Sequence, residues 1–249
     1  MYHTKNGKIT VPNFSHYTHC NIYNYKLNLQ FYLSQHMINF IPIFPLGVVV
    51  YPGELLNLHI FEERYKQLIT ESFKDQKPFG IPSVINEHVS ELGTLVKVTE
   101  IVEVYEDGKM DIRTEGISVF RVLEVIKKVP DKLYSGAIVD YPVNETQLKV
   151  ALMQRVISNI RELHRLLEIT KEIKKPDEQL CSYDIAHHAG LTLEEEYELL
   201  GLFREDQRLE YLKRHLNKIL PMINGIEDLK EKIQLNGHFR ELKGFNFDF

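Results

Sequence analysis

The feature that most constrains the fold of this chain is a change in hydrophobic periodicity at Pro142. Before that proline, from residue 40 onward, short runs rich in Val, Ile and Tyr are separated by Gly and Pro, which is typical of strands joined by turns. After it, apolar residues recur every three or four positions, as they do on one face of a helix. The sequence therefore predicts an α+β chain, in which a small β barrel with a short helix precedes a helical bundle.

About six or seven strands are predicted in the β part. Residues 48–50 are expected to form a short buried strand that ends at Pro52 and Gly53, and residues 58–61 the next strand. Asp107 and Gly108 stand between two alternating runs and predict a tight hairpin, whose turn requires positive φ at both central positions. The short helix is predicted from residue 62 to residue 73, because the apolar residues there have the spacing of one helix face.

Four helices are predicted after Pro142. The first is long and amphipathic, with apolar residues at steps of three or four from Leu148 to Leu167. The other three are expected at residues 178–189, 193–203 and 209–219. Thr192 and Glu195 have the spacing of a capping box at the start of the third helix. Pro221 is expected to end or kink the fourth, since proline cannot continue a helix without losing a hydrogen bond.

The two ends of the chain lack these patterns. Residues 1–36 contain three lysines, no acidic residue and no sustained periodicity, so a poorly ordered extension is predicted there. The expected organisation is this extension, a β domain at 37–142, a helical subdomain at 143–224 and a C-terminal extension at 225–249. The C-terminal extension ends in aromatic residues and suggests no role.

Composition narrows the class of protein. With 43% hydrophobic and 26% charged residues, the chain is too apolar for a disordered protein. Its net charge of -5 makes nucleic acid an unlikely partner, because nucleic-acid binders usually present a basic face. No apolar run approaches the roughly 20 residues of a membrane-spanning helix. Cys20 and Cys181 form no disulfide or zinc pattern, so the reducing cytoplasm is the expected location.

The segments at residues 41–53 and 58–65, which read IPIFPLGVVVYPG and LHIFEERY, resemble the opening signature of the N-terminal substrate-recognition domain of Lon proteases. The resemblance extends over roughly residues 40 to 220. It continues through Phe79-Gly80-Ile81, Gly93-Thr94, Asp107-Gly108, the segment from Gly116 to Arg121, Leu199-Leu200 and Arg208-Leu209. It implies a PUA-like β barrel with a helical subdomain, and a role in recognising proteins rather than cleaving them.

The resemblance also supplies candidate protein-binding residues. They are Pro45, Pro52, Gly53, Phe61, Glu62, Arg64, Tyr65 and Arg121. Structural roles explain the same residues, since proline and glycine set turns. Phe61 and Tyr65 are expected to pack inward, and Glu62 to lie in the first helical turn, where the dipole favours a carboxylate. Arg64 is expected to pair with Glu62 or with a carboxylate on a strand.

Signatures of catalysis are absent from the sequence. There is no G-x-x-x-x-G-K-[ST] phosphate loop, no G-x-S-x-G elbow and no H-E-x-x-H, and no room for the peptidase domain of a Lon protease. We therefore expect a non-catalytic protein without a cofactor. A metal site is also not expected, because the adjacent His187 and His188 would point about 100° apart on a helix. His16, His19 and Cys20 lie in the N-terminal extension.

Three functions remain open at this point. The favoured one is a module that binds unfolded or tagged substrate polypeptides, or an adaptor for a separate ATP-dependent protease. The alternative is an RNA-binding PUA-like protein, with basic residues at 127–128 and at Lys171, Lys174 and Lys175, although a solvated basic turn is the favoured interpretation of these lysines. The third is an enzyme acting on a small molecule. The distribution of charge distinguishes polypeptide binding from RNA binding, because RNA binding needs a continuous basic surface.

The junction between the β part and the helical part is a natural place for a ligand. Binding sites favour concave, largely apolar surfaces, and junctions between structural units often provide them. We expect a groove there. An extended peptide would be held in it by main-chain hydrogen bonds to a strand edge and by apolar pockets.

The missing motifs give a first prediction. The purified protein should neither hydrolyse ATP nor cleave casein, because it has neither a phosphate loop nor an activated nucleophile. Phosphate release and peptide release should equal those of buffer alone. Turnover that a point mutation in this chain abolishes would contradict the prediction.

Overall fold

The computed structural model describes residues 39–147 and 149–222, and these residues combine an antiparallel sheet with several helices. The strands are β1 (Asn39–Pro42), β2 (Leu55–Ile60), β3 (Phe79–Ile85), β4 (His88–Val104), β5 (Met110–Ile126) and β6 (Gly136–Asp140). The helices are α1 (Glu63–Asp75), α2 (Val150–Leu166), α3 (Ser182–Ala186), α4 (Leu193–Leu200) and α5 (Glu205–Ile219). Short 3₁₀ turns occupy Asp177–Gln179 and Leu220–Met222. The predicted combination of strands before Pro142 and helices after it is confirmed.

The sheet has the order β1-β6-β5-β4-β3, and all its ladders are antiparallel. β2 pairs with the first half of β5, while β6 pairs with the second half. The chain just after β1 makes parallel bridges to β3, which join Ile43 to Gly80 and Leu46 to Ser83. These bridges connect the two ends of the strand order, so the sheet curls around a core of alternating inward side chains.

Two predictions in the β part need correction. Residues 48–50 are buried but form no strand, and the carbonyl of Val50 accepts a hydrogen bond from the hydroxyl of Thr94. An apolar run indicates burial and does not by itself indicate pairing. The hairpin at residues 107–108 is present, but only Gly108 has positive φ (78°). Its loop is closed by the Tyr105–Lys109 hydrogen bond, as in a three-residue hairpin loop that ends in a glycine.

The helical part also differs in detail from the prediction. The helix expected at residues 178–189 is reduced to a 3₁₀ turn and the five-residue α3. The capping box at Thr192 is confirmed, since its hydroxyl accepts from the amide of Glu195 (3.2 Å) and the Glu195 carboxylate accepts from the amide of Thr192 (2.8 Å). α5 ends at Ile219, two residues before Pro221, and the 3₁₀ turn that follows contains this proline.

One hydrophobic cluster joins the sheet to the helices. α2 contributes Val156, Ile160 and Leu163 to it, and α5 contributes Leu209 and Leu212, all with less than 1% of their surface exposed. The same cluster includes four side chains from the β part: Val49, Tyr51, Leu92 and Val119. Because the two parts bury apolar surface against each other, their relative position is fixed by packing.

A buried arginine holds the helical part to the chain that leaves the sheet. Arg208 on α5 is fully buried and pairs with Glu205 at 2.7 Å. Its Nε donates to the hydroxyl of Ser182 on α3 (2.7 Å), and Nη1 donates to the side-chain oxygen of Asn144, just after β6 (2.8 Å). The guanidinium also lies 4.2 Å from the centre of the Tyr183 ring. Three separate segments therefore depend on one charged group.

No helix within the two described ranges is both long enough and apolar enough to cross a membrane.

We predict that Arg208→Ala destabilises the protein by about 3–5 kcal/mol, because it leaves the buried Glu205 carboxylate without a cation to balance its charge. The free energy of unfolding in urea measures the loss. Arg214→Ala is the matched control, since Arg214 lies on the same helix and is exposed. Equal stabilities of the two variants would show that the buried network contributes nothing.

Candidate functional site

A groove of about 310 Å³ lies between the turn that precedes β2 and the segment that leads into α3. We call it the junction groove. Its lining consists of residues 52–55 and 171–175 with Leu180, Tyr183, Asp184, His187 and His188. The volume is at the lower end of the range for ligand pockets. A groove at the junction between the β part and the helices, as predicted, is therefore present.

Pro52 and Gly53 form the turn on the sheet side of the groove. Gly53 has a φ of 82°, which favours glycine, and its amide donates to the carbonyl of Gly116 on β5 (2.9 Å). The amide of Gly116 donates in return to the carbonyl of Glu54 (2.9 Å). A Cβ atom on Gly116 would lie 2.2 Å from the carbonyl oxygen of Tyr51, so only glycine permits this contact. The turn is thus fixed against β5.

His187 joins this turn to the helices. Its Nδ1 lies 2.6 Å from a carboxylate oxygen of Glu196 on α4, and its Nε2 lies 3.0 Å from a carboxylate oxygen of Glu54. The ring of Tyr51 packs 4.8 Å from the imidazole, centre to centre, and the Tyr51 hydroxyl donates to the carbonyl of Glu196 (3.1 Å). The wall of the groove is therefore held by charge and hydrogen bonds from both parts of the chain.

The charge of His187 follows from these contacts. Burial alone would lower the pKa of the imidazole, but the carboxylates of Glu54 and Glu196 outweigh it and raise the pKa from 6.5 to about 10. The imidazole is therefore protonated at neutral pH. Between two carboxylates, it makes charge-assisted hydrogen bonds from both ring nitrogens.

The neighbouring His188 has the opposite character. Burial, with Lys171, His164 and His187 nearby, lowers the pKa of His188 to about 3, so its ring is neutral. The ring packs 5.4 Å from that of His164, whose Nε2 lies 3.0 Å from the His188 carbonyl oxygen. The two adjacent histidines therefore differ in charge, since His187 is protonated and His188 is neutral. Across residues 39–147 and 149–222, no three His, Cys, Asp or Glu side chains are placed to share a metal ion.

The groove surface combines apolar and paired charged groups. Leu55 is 70% exposed at its edge, Ile173 is partly buried, and Leu180 and Tyr183 are buried along its base. Lys175 pairs with Asp184 at 2.5 Å, a hydrogen bond that raises the pKa of the lysine. The nearby thiol of Cys181 is held protonated, because burial raises its pKa to about 11. Nothing in this set resembles an activated nucleophile.

Four of the eight motif residues lie away from the groove, around the start of α1. Glu62 occupies the N-cap position rather than the first turn, and Arg64 pairs with it at 2.7 Å. The Arg64 guanidinium lies 4.6 Å from the centre of the Tyr65 ring, which stacks on Phe44 at 3.8 Å. Phe61 is only partly buried. The side chains of the Arg64–Glu62 pair are about one-quarter exposed. We therefore expect the pair to contribute about 1 kcal/mol to the free energy of unfolding, which is less than a fully buried pair would.

The two remaining candidates also lie outside the groove. Pro45 is buried among core residues after β1, and Arg121 is half-buried on β5, 6.0 Å from the centre of the Phe203 ring. Of the eight candidates, only Pro52 and Gly53 therefore line the junction groove.

Several groove residues were not selected from the sequence. Leu55 and Ile173 carry no motif, and Tyr183 belongs to a helix whose bounds were mispredicted. The pair of Glu54 and His187 spans 133 positions, so no local pattern indicates it. The sequence contains one indication, which is that Glu54 directly follows Pro52 and Gly53 in the segment that resembles the Lon N-terminal domain.

The raised pKa of His187 predicts how stability varies with pH. A folded-state pKa near 10, above the usual 6.5, means that the contribution of His187 is complete below about pH 6.5 and declines as pH rises toward 10. Over that range the free energy of unfolding can fall by about 1.4 kcal/mol for each unit of pH. Unfolding in urea from pH 6.5 to 9 should therefore show falling stability for the wild type and a flatter profile for His187→Gln. His88→Gln, at an exposed histidine, is the control and should keep the wild-type slope.

Comparisons with solved structures identify similar folds. The crystal structure of a Lon N-terminal domain protein from Xanthomonas campestris is 23% identical, has a TM-score of 0.54, and the match covers 70% of this chain and 97% of that one. The N-terminal domain of the Mycobacterium avium complex Lon protease is 13% identical, with a TM-score of 0.53 and coverage of 72% and 98%. A comparison with curated proteins gave no match.

A model of the substrate-binding domain of ATP-dependent protease La (Lon) matches residues 41–218. This range includes the turn at Pro52 and Gly53, the sheet except for the first two residues of β1, α1 and all but the last residue of α5. It covers well over half of the chain, and it agrees with the resemblance seen in the opening segments. The chain therefore belongs to the Lon substrate-binding domain family.

Proposed function

We propose that this protein is a non-catalytic recognition module that binds polypeptide substrates, and that they bind in the junction groove. Membership of a family described as substrate-binding supports a recognition role. The groove supplies the surface, because it is concave and lies between two parts of the fold that packing holds rigid. On this proposal the protein needs no cofactor.

One observation carries the proposal, which is the exposed apolar edge of the groove. Leu55 is 70% exposed although it follows a turn fixed by Gly53 and Gly116. Ile173 faces the same groove from the opposite side. An apolar side chain of a bound polypeptide would bury surface against both, at about 25 cal/mol per Å² of apolar area removed from water.

The charges of the groove favour polypeptide over RNA. Lys171, Lys174, Lys175 and the His187 imidazolium line it with three acidic residues, Glu54, Glu172 and Asp184, and Glu196, which pairs with His187, supplies a fourth carboxylate. Lys175 is already paired with Asp184. RNA binding requires protein cations that neutralise phosphates and so release the counterions condensed on the RNA. The charges of this lysine turn are largely neutralised by neighbouring carboxylates instead.

The finer parts of the proposal concern partners and architecture. The bound chains would be unfolded or tagged polypeptides, held with micromolar dissociation constants, on the order of -8 kcal/mol, because ordering a flexible chain opposes generic contacts. A separate ATP-dependent protease is the proposed recipient, with this protein as its cytoplasmic adaptor.

We further propose that the sheet is a PUA-like barrel at 37–142, followed by a helical bundle at 143–224, with extensions at 1–36 and 225–249.

We predict that Leu55→Asp and Ile173→Asp each weaken binding to a permanently unfolded protein, carboxymethylated α-lactalbumin, by about tenfold. The reason is that each places a charge where apolar contact is required. Fluorescence anisotropy with a labelled sample measures the dissociation constant, and urea unfolding confirms that each variant is folded.

Leu133→Asp is the matched control, because Leu133 is 65% exposed and does not line the junction groove. It should bind as the wild type does. Undetectable binding of the unfolded protein at high micromolar concentration, together with tight RNA binding that weakens steeply with salt, would replace the proposal with the RNA-binding alternative.

A further inference from the structure

The strand that leaves the junction groove has one edge without a partner strand. β2 pairs with β5 on one side, and within residues 39–147 and 149–222 no other strand pairs with it. The junction groove ends at Leu55, which is also the first residue of β2. The groove and the open edge are therefore continuous.

The register shows which main-chain groups point outward along this edge. The amide of Gly116 donates to the carbonyl of Glu54, and in an antiparallel ladder only alternate residues face the same partner. Leu56, Leu58 and Ile60 therefore direct their amide and carbonyl groups toward β5. The intervening residues, Leu55, Asn57 and His59, direct theirs to the open side.

The side chains of β2 alternate between the outer face of the sheet and the core. Leu55 is exposed, and Asn57 and His59 are partly exposed, whereas the alternate residues Leu56, Leu58 and Ile60 are buried in the core. The imidazole of His59 is engaged with Asp111 on β5, at 2.6 Å. The Nδ1 atom of His59 is therefore bonded to a side chain of β5 and not to the main chain of the open edge.

We propose that a substrate polypeptide binds as an additional strand on the open edge of β2, with one apolar side chain in the junction groove beside Leu55. This inference rests on the proposed function and specifies the chemical form of the substrate. Alternating amide donors and carbonyl acceptors at strand spacing complement another extended backbone. Recognition is then independent of most side chains, and the groove adds a preference for an apolar residue at one position.

A proline at Asn57 tests the edge, because it removes one outward amide while leaving the hydrogen bonds to β5 in place. Proline is tolerated on an edge strand at such a position. We expect Asn57→Pro to weaken binding of carboxymethylated α-lactalbumin by about tenfold, since one hydrogen bond is lost and the ring obstructs the added strand. Asn57→Ala, which keeps the amide, should bind within about twofold of the wild type.

Hydrogen exchange in the wild-type protein provides a second test that needs no variant. In the free protein the amides of Leu56, Leu58 and Ile60 should be protected by β5, while those of Leu55, Asn57 and His59 exchange faster. Adding saturating carboxymethylated α-lactalbumin should slow exchange at the second set and leave the first unchanged. A gain of protection with this two-residue period is the signature of an added strand.

Three results would overturn the proposal. Equal affinities of Asn57→Pro and Asn57→Ala would show that the outward amide makes no bond to the substrate. No gain of protection at Leu55, Asn57 and His59 on binding would show the same. A wild-type dimer that Asn57→Pro dissociates would assign the edge to a second copy of the chain. If Leu55→Asp still weakens binding in any of these cases, the groove remains the binding site and only the added strand is refuted.

Discussion

The His187 imidazolium between the carboxylates of Glu54 and Glu196 is the interaction on which the junction groove depends. Glu54 follows the turn fixed to β5, and Glu196 lies on α4, so one side chain joins the sheet to the helices. Tyr51 completes the contact by packing on the imidazole and donating to the Glu196 carbonyl. Neither part of the chain can move relative to the other without separating these charges.

This interaction contributes more to position than to stability. Removing charges from water costs several kcal/mol each, and a buried ion pair seldom exceeds an apolar replacement of equal volume. The apolar cluster shared by α2, α5 and the sheet supplies the larger stabilising term. An ion pair, however, has a defined geometry that apolar contacts lack. Packing therefore fixes the two parts of the fold, and the imidazolium fixes the side chains of Glu54 and Glu196 at the wall of the groove.

Periodicity predicted the elements of this fold better than it predicted their contacts. The change at Pro142, the helix over residues 62–73 and the capping box at Thr192 all depend on local patterns, and all are present. The strand predicted at residues 48–50 was wrong because burial and pairing give the same apolar run. The pairing of Glu54 with His187 could not be predicted, since its geometry arises only when residues 133 positions apart meet.

The open edge of β2 lies outside the closed part of the sheet, as does the edge of β4 beyond Val96, the last residue of β4 that pairs with β3. Bridges after β1 join the two ends of the strand order, which leaves neither β1 nor β3 open along its whole length. Natural edge strands commonly avoid unwanted pairing with proline, lysine or a bulge. β2, with the sequence LLNLHI, has no proline or lysine, and its ladder to β5 is regular. An edge without these protections is a liability unless another chain uses it, and this one begins at a groove that suits an apolar side chain.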